Sequence, residues 1–252
     1  MKEIIINAFM RTFNHFFTSA ITLVAMLASC NKEAYIDIPT ASELESPTNP
    51  NTLNGHEYVD LGLSVKWATC NVDALHPEDF GGYYAWGDDK PYSHVAHFLD
   101  SLGFKKEFFL TNNKGYIDHL SDRLRLDAVG RGLILKGVDI ATYKWGEGWR
   151  LPTKNEFVEL YDNCIWQDVI VDDAVCYKVT SKIPGYTDRY IIIPHAGYNF
   201  VDTEADIYED AVYWTGTLRS EYWIHLFVFN SKGYTDCFSG AAVGYPVRPV
   251  CK

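Results

Sequence analysis

The sequence predicts a mostly β or α+β fold, low in helix and rich in short strands, on three observations. Residues 149–157, Trp-Arg-Leu-Pro-Thr-Lys-Asn-Glu-Phe, place an aromatic approach, a stop and a helix start within nine positions. Several other short segments alternate apolar and polar side chains with period two, the spacing of half-buried strands. The chain of 252 residues is also 47% hydrophobic and 15% aromatic, with 17 Tyr and 7 Trp. That content can fill a sizeable core whose rings pack and donate hydrogen bonds at once.

In chain order, the first thirty residues read as a processed leader. Lys2 and Arg11 flank its start, and residues 16–28 are an uninterrupted run of apolar and small side chains, too short for a membrane span. Its end, Leu27-Ala28-Ser29-Cys30, resembles a bacterial lipobox, where small residues give a lipoprotein signal peptidase access to the bond before a lipidated cysteine. Residues 1–29 are therefore expected to be removed, leaving lipid on Cys30. Acyl chains contribute about 0.8 kcal/mol per buried methylene, so several would hold the chain at a membrane with no spanning helix. Without the leader's Lys2, Glu3 and Arg11, 20 basic and 32 acidic residues remain, a net charge near −12. Nucleic acid and anionic lipid are poor partners for such a chain, since both need basic patches.

Residues 30–53 have linker composition, with Pro39, Pro47 and Pro50 in a Ser/Thr/Asn/Glu background, and would let a folded domain over 54–252 stand off from its anchor. From Tyr58 to Ala68 strict alternation argues a strand, with Gly62 a turn or bulge. Small residues between rings in Gly81-Gly82-Tyr83-Tyr84-Ala85-Trp86-Gly87 point to close backbone approach under aromatic side chains. Residues 88–138 have no sustained period beyond a candidate helix at 118–129, and read as a variable insertion. His94, His97 and His119 lack the spacing of a metal site and are expected to be surface histidines, so neither metal nor cofactor is implied.

The motif at 149–157 is read as architectural. Thr153 and Glu156 form a capping box, Pro152 keeps Leu151 extended, and Phe157, Leu160, Tyr161 and Cys164 lay an apolar stripe along a helix over 154–163. Strands follow around Val175–Val179, Tyr190–Pro194, Ala196–Tyr198, Tyr213–Thr217, Tyr222–Asn230 and Tyr245–Val250, with a turn at Pro184-Gly185. Large apolar groups on both faces after Tyr222 argue a central strand. Besides Cys30 there are five cysteines, an odd number for an oxidising compartment. Cys70 and Cys164, at the ends of the first strand and of the helical stripe, are expected inside, and Cys251, beside Lys252, is expected to be the most exposed.

Residues 54–72 (Asn-Gly-His-Glu-Tyr-Val-Asp-Leu-Gly-Leu-Ser-Val-Lys-Trp-Ala-Thr-Cys-Asn-Val), the stretch from Trp145-Gly146 to Thr153, Tyr213-Trp214-Thr215 and Val247-Arg248-Pro249-Val250 follow one another in an order that resembles the major paralogous domain (FISUMP) family of gut and rumen bacteria. That family is typically found on lipoproteins, and the likeness spans residues 54–250. It is similar in turn to the formylglycine-generating-enzyme branch of the C-type lectin-like fold, where an Arg-Leu-Pro-Thr segment also starts a helix. The resemblance implies an α+β fold whose N- and C-terminal strands meet, with two helices and a small central antiparallel sheet beneath long loops. It also implies a lipid-anchored protein of a bacterial outer membrane, at the cell surface or on its periplasmic face.

The leading expectation is a non-catalytic recognition or adhesion module for a glycan or protein ligand. In relatives that bind, the ligand surface precedes the final strand, which by position offers Arg219, Tyr222, Trp223, Asn230, Tyr234, Asp236 and Phe238. Exposed aromatics and arginine make good contact anchors. The Glu-Pro-Asn, Gln-Pro-Asp and Trp-Asn-Asp motifs of calcium-dependent sugar binding are missing. A structural subunit of a surface assembly or fimbria is a second expectation. An oxidase of the formylglycine-generating type is a third, although Cys237 and Cys251 stand outside that family's copper-binding motif, and no Gly-x-Ser-x-Gly, His-Glu-x-x-His or phosphate loop occurs.

Overall fold

The helix start at Thr153 forms as the sequence requires. The Thr153 hydroxyl accepts from the Glu156 N–H at 3.2 Å, and the Glu156 carboxylate accepts from the Thr153 N–H at 2.7 Å. The computed structural model describes residues 51–89, 91, 139–200, 203–205, 210–220, 223–241 and 243–252, all of one compact unit. The leader, Cys30, the linker up to residue 50, the three histidines, the candidate helix at 118–129 and Tyr222 lie outside the described residues. The described residues hold two α-helices, α1 (Ile140–Trp145) and α2 (Lys154–Asn163), with antiparallel strands around them. The architecture is α+β.

Arg150 fixes the approach to α2. Its guanidinium donates to both oxygens of Glu156, at 2.8 and 2.5 Å, and to the Leu151 carbonyl at 3.0 Å. Burial would raise the Glu156 carboxyl, but this fork and the Thr153 N–H together hold it below the usual range. The six-residue α1 has no periodic pattern of its own to mark its position. Its cap, Asp139, accepts from the N–H groups of Ala141, Thr142 and Leu151, which ties the start of α1 to the approach of α2. Burial outweighs those donors and pushes the Asp139 carboxyl up to about 6.

The chain ends meet in a four-stranded sheet ordered β1 (Asn51–Leu53), β2 (His56–Val59), β3 (Lys66–Ala68) and β12 (Val250–Cys251). β1 falls within the expected linker. The alternation from Tyr58 to Ala68, expected to be one strand, instead folds back on itself: Tyr58 faces Ala68 and Val59 faces Trp67. The reversal uses Gly62, at φ +76, whose N–H is accepted by the Asp60 carboxylate. Leu61 and Val65 are fully buried inside the loop, and this is why they look like strand residues. The β1–β2 turn is Asn54-Gly55, both at positive φ, the type I′ signature. The Asn54 amide also donates to the carbonyls of Trp145 and Glu147, closing the end of α1.

A second sheet runs β4 (Cys164–Val171), β5 (Ala174–Ser181), β6 (Tyr190–Pro194). A small hairpin pairs β7 (Tyr198–Phe200) with β8 (Thr203–Ala205). The third sheet is β9 (Ala211–Ser220), β10 (Trp223–Asn230) and β11 (Gly233–Gly240), with β10 central as expected. It divides the core. Val212, Trp214, Ile224 and Leu226 pack with Trp145, Trp149 and Tyr245 on one side. Tyr213, Phe227 and Phe229 pack with Phe157 and Leu160 of α2 and with Trp67 on the other. The residues from Tyr245 to Val250 are mostly irregular rather than a strand. They are held by Arg248, fully buried, which donates to Asn71 Oδ1 at 2.8 Å and to the carbonyls of Ala68 and Thr69.

The cysteine order needs correcting. Cys251 is 1% exposed because β12 is paired with β3 instead of fraying, and it is buried together with Cys164 and Cys176. Cys70, expected inside, is only partly buried, as is Cys237. All five are free thiols.

Candidate functional site

Side chains of a strand alternate between sheet faces, so Trp223, His225, Phe227 and Phe229 of β10 share one face. Their cross-strand partners on β11 are Gly240, Phe238, Asp236 and Tyr234. α2 covers half of this face. Phe157 stacks on Phe227 at 4.3 Å and 9°, Tyr161 lies 5.8 Å from Tyr234, and Trp166 of β4 stacks on Phe229 at 4.3 Å.

The other half continues past the first residue of α2 and is open. Trp223 is 39% and Phe238 42% exposed, their rings perpendicular at 5.5 Å. The Arg219 guanidinium lies 3.6 Å from the centre of the Phe238 ring, close enough for a cation–π contact. Beside it, Asp236 accepts from Lys154 Nζ at 2.6 Å and faces His225 Nδ1 at 3.1 Å. Burial pushes against the Asp236 charge, yet the Lys154 bond and charge, helped by His225, hold its carboxyl below the usual range. Among the described residues no hydrogen bond or ion pair reaches the Arg219 guanidinium.

Of the seven residues proposed from position, Arg219, Trp223, Asp236 and Phe238 come together. Asn230 does not: it closes the β10–β11 turn, where its side-chain oxygen accepts from the Lys232 N–H, seven positions from Trp223 and so about 23 Å along the strand. Tyr234 does not either, because α2 lies over it and its hydroxyl is buried without a partner. Sequence position grouped these residues by segment, whereas the sheet groups them by face and by what covers them. His225 and Lys154 were missed. Counting alternation from Trp223 reaches His225, but the Lys154 side chain reaches Asp236 only through the packing of α2 on β10.

The motif residues sit elsewhere and are engaged in structure. Trp149 is 1% exposed with its indole N–H donated to the Leu53 carbonyl, Pro152 accepts from the Gly216 N–H, and Arg150, Thr153 and Glu156 bond one another. Cys237 neighbours Asp236 but packs on the opposite face, and burial pushes its thiol and that of Cys251 upward. No group of three or more metal-ligating side chains occurs among the described residues, and no helix there is long and apolar enough to cross a membrane. Compared with protein-family models, curated proteins and solved structures, the chain has no match.

Proposed function

We propose that this chain is a bacterial lipoprotein, anchored through Cys30 to the outer membrane, whose folded part is a non-catalytic recognition or adhesion module of the FISUMP kind on a C-type lectin-like fold. The ligand surface is the open half of the β9–β11 face, with Arg219, Trp223 and Phe238 as anchors. One observation carries this reading: a guanidinium and two large rings, one each from β9, β10 and β11, stand exposed at the surface, with Phe238 in contact with both Arg219 and Trp223. Such preordered aromatic and arginine side chains lose little freedom on binding.

The full chain, extracted in detergent, is to be probed on glycan and protein arrays beside its Trp223→Ala and Phe238→Ala variants. Capture that both variants lose supports the surface; capture that neither changes refutes it. Intact mass of the extracted protein tests the anchor, with acyl chains on an N-terminal Cys30 expected. An unmodified chain beginning elsewhere contradicts it.

A structural role in a surface assembly has one observation in its favour. β4 is an edge strand among the described sheets and exposes Ile165 at 57% and Ile170 at 40%, and an apolar edge can pair with another chain. Concentration-dependent sedimentation that Ile165→Lys abolishes would favour that role.

A further inference from the structure

Resting on the reading of the open face as the ligand surface, we infer that its ligand is an acidic saccharide, with a sugar ring on Trp223 and a carboxylate on Arg219. The local charges argue for the anion. Asp236 already meets the Lys154 ammonium and the His225 imidazole, so the acid in this patch is neutralised by the lysine. Arg219 meets no acid among the described residues. Among the described residues the patch therefore offers one uncompensated positive charge, set in a chain of net −11.

Geometry argues for a carboxylate. Stacking on Phe238 covers one flat face of the guanidinium and consumes no N–H, leaving the in-plane donors that match a carboxylate two-by-two. Holding a long side chain against a ring also reduces the rotamer freedom that binding would otherwise have to remove. A polyanion such as nucleic acid or a charged lipid surface would need several such cations against the repulsion of the whole chain. A ligand with one carboxylate per contact needs only this one.

The neighbouring ring argues for a sugar. Trp223 stands perpendicular to Phe238 and is 39% exposed, so part of the indole faces solvent next to the Phe238 ring that carries the guanidinium. The negative face of an aromatic ring attracts polarised C–H groups, and a pyranose presents a face of them. In a uronic acid the carboxylate hangs from the ring carbon next to that face, which brings both contacts within one residue of the ligand.

Titration of the detergent-extracted full chain with a galacturonate and a glucuronate trimer, their methyl esters and a neutral galactose trimer tests this, read by calorimetry and tryptophan fluorescence. At least one acid should bind, and its ester should bind roughly tenfold more weakly or worse, the value of a charge-assisted hydrogen bond. Arg219→Gln should make acid and ester equal, Arg219→Lys should fall between, and Trp223→Ala should abolish both, with melting curves confirming that each variant is folded. Equal binding of acid, ester and neutral trimer, lost in Trp223→Ala, overturns the acidic ligand while leaving the recognition surface standing. Binding that ignores Trp223→Ala overturns both. Failure of every trimer to bind overturns the saccharide, and the array then decides the surface by itself.

Discussion

The two halves of the β9–β11 face are made by the same strands, with the same alternation and similar side chains, yet they have opposite fates. Phe227, Phe229 and Tyr234 lie beneath α2 and Trp166 and are core. Trp223, Phe238 and Arg219, a few residues along the same strands, are exposed at the surface. The difference is where α2 begins. Thr153 caps the helix and Lys154 turns its ammonium onto Asp236, so the cover stops between the two groups of rings. A strand pattern tells which residues share a face, while the element laid across that face decides which of them are scaffold and which are free to bind.

Substitutions that separate the halves sharpen this contrast. Phe227→Ala, in the covered half, should cost about 3–5 kcal/mol, read as a fall in the denaturant midpoint; a loss below about 1 kcal/mol would mean that α2 does not close over it. Glu156→Gln removes one side of the fork that orients the helix start and should cost about 2 kcal/mol at neutral pH. Because the folded carboxyl titrates below its ordinary value of 4.5, its contribution is present above about pH 4.5 and is lost as pH falls through the folded value. Stability measured from pH 7 to 3 should therefore fall less steeply in the variant than in the parent, and parallel curves would dismiss the ion pair. Thr153→Ala should lower stability by about 1 kcal/mol through the lost cap and leave array capture unchanged; capture lost at full stability would move the motif from scaffold to site. In native protein, Cys70 and Cys237 should alkylate before Cys164, Cys176 and Cys251, and early labelling of Cys251 would mean that β12 is not held by β3.

The legible parts of the sequence were those fixed by local chemistry. The capping box and the spacing of Phe157, Leu160 and Tyr161 gave α2 its observed bounds, alternation located β5, and short apolar, aromatic-rich runs located β6, β9 and β10. β4 was missed because Ile165, Trp166, Val169, Ile170 and Val171 follow no clean alternation and its turn, Asp172-Asp173, carries no glycine although both residues sit at positive φ. α1 is too short to show a period. Cys251 was misplaced because a chain end reads as frayed until its pairing with Lys66 is known. Within the site, the aromatic and arginine anchors could be read from their segment, but the exclusion of Tyr234 and the inclusion of Lys154 depend on where α2 lies, which is tertiary information.

The central claim, that the uncovered half binds while the covered half holds the fold, is tested most directly by measuring Trp223→Ala twice, for denaturant midpoint and for capture on the array. The account predicts a stability loss of no more than about 1 kcal/mol together with loss of capture. A loss of several kcal/mol, comparable to Phe227→Ala, or full stability with capture intact, would contradict it.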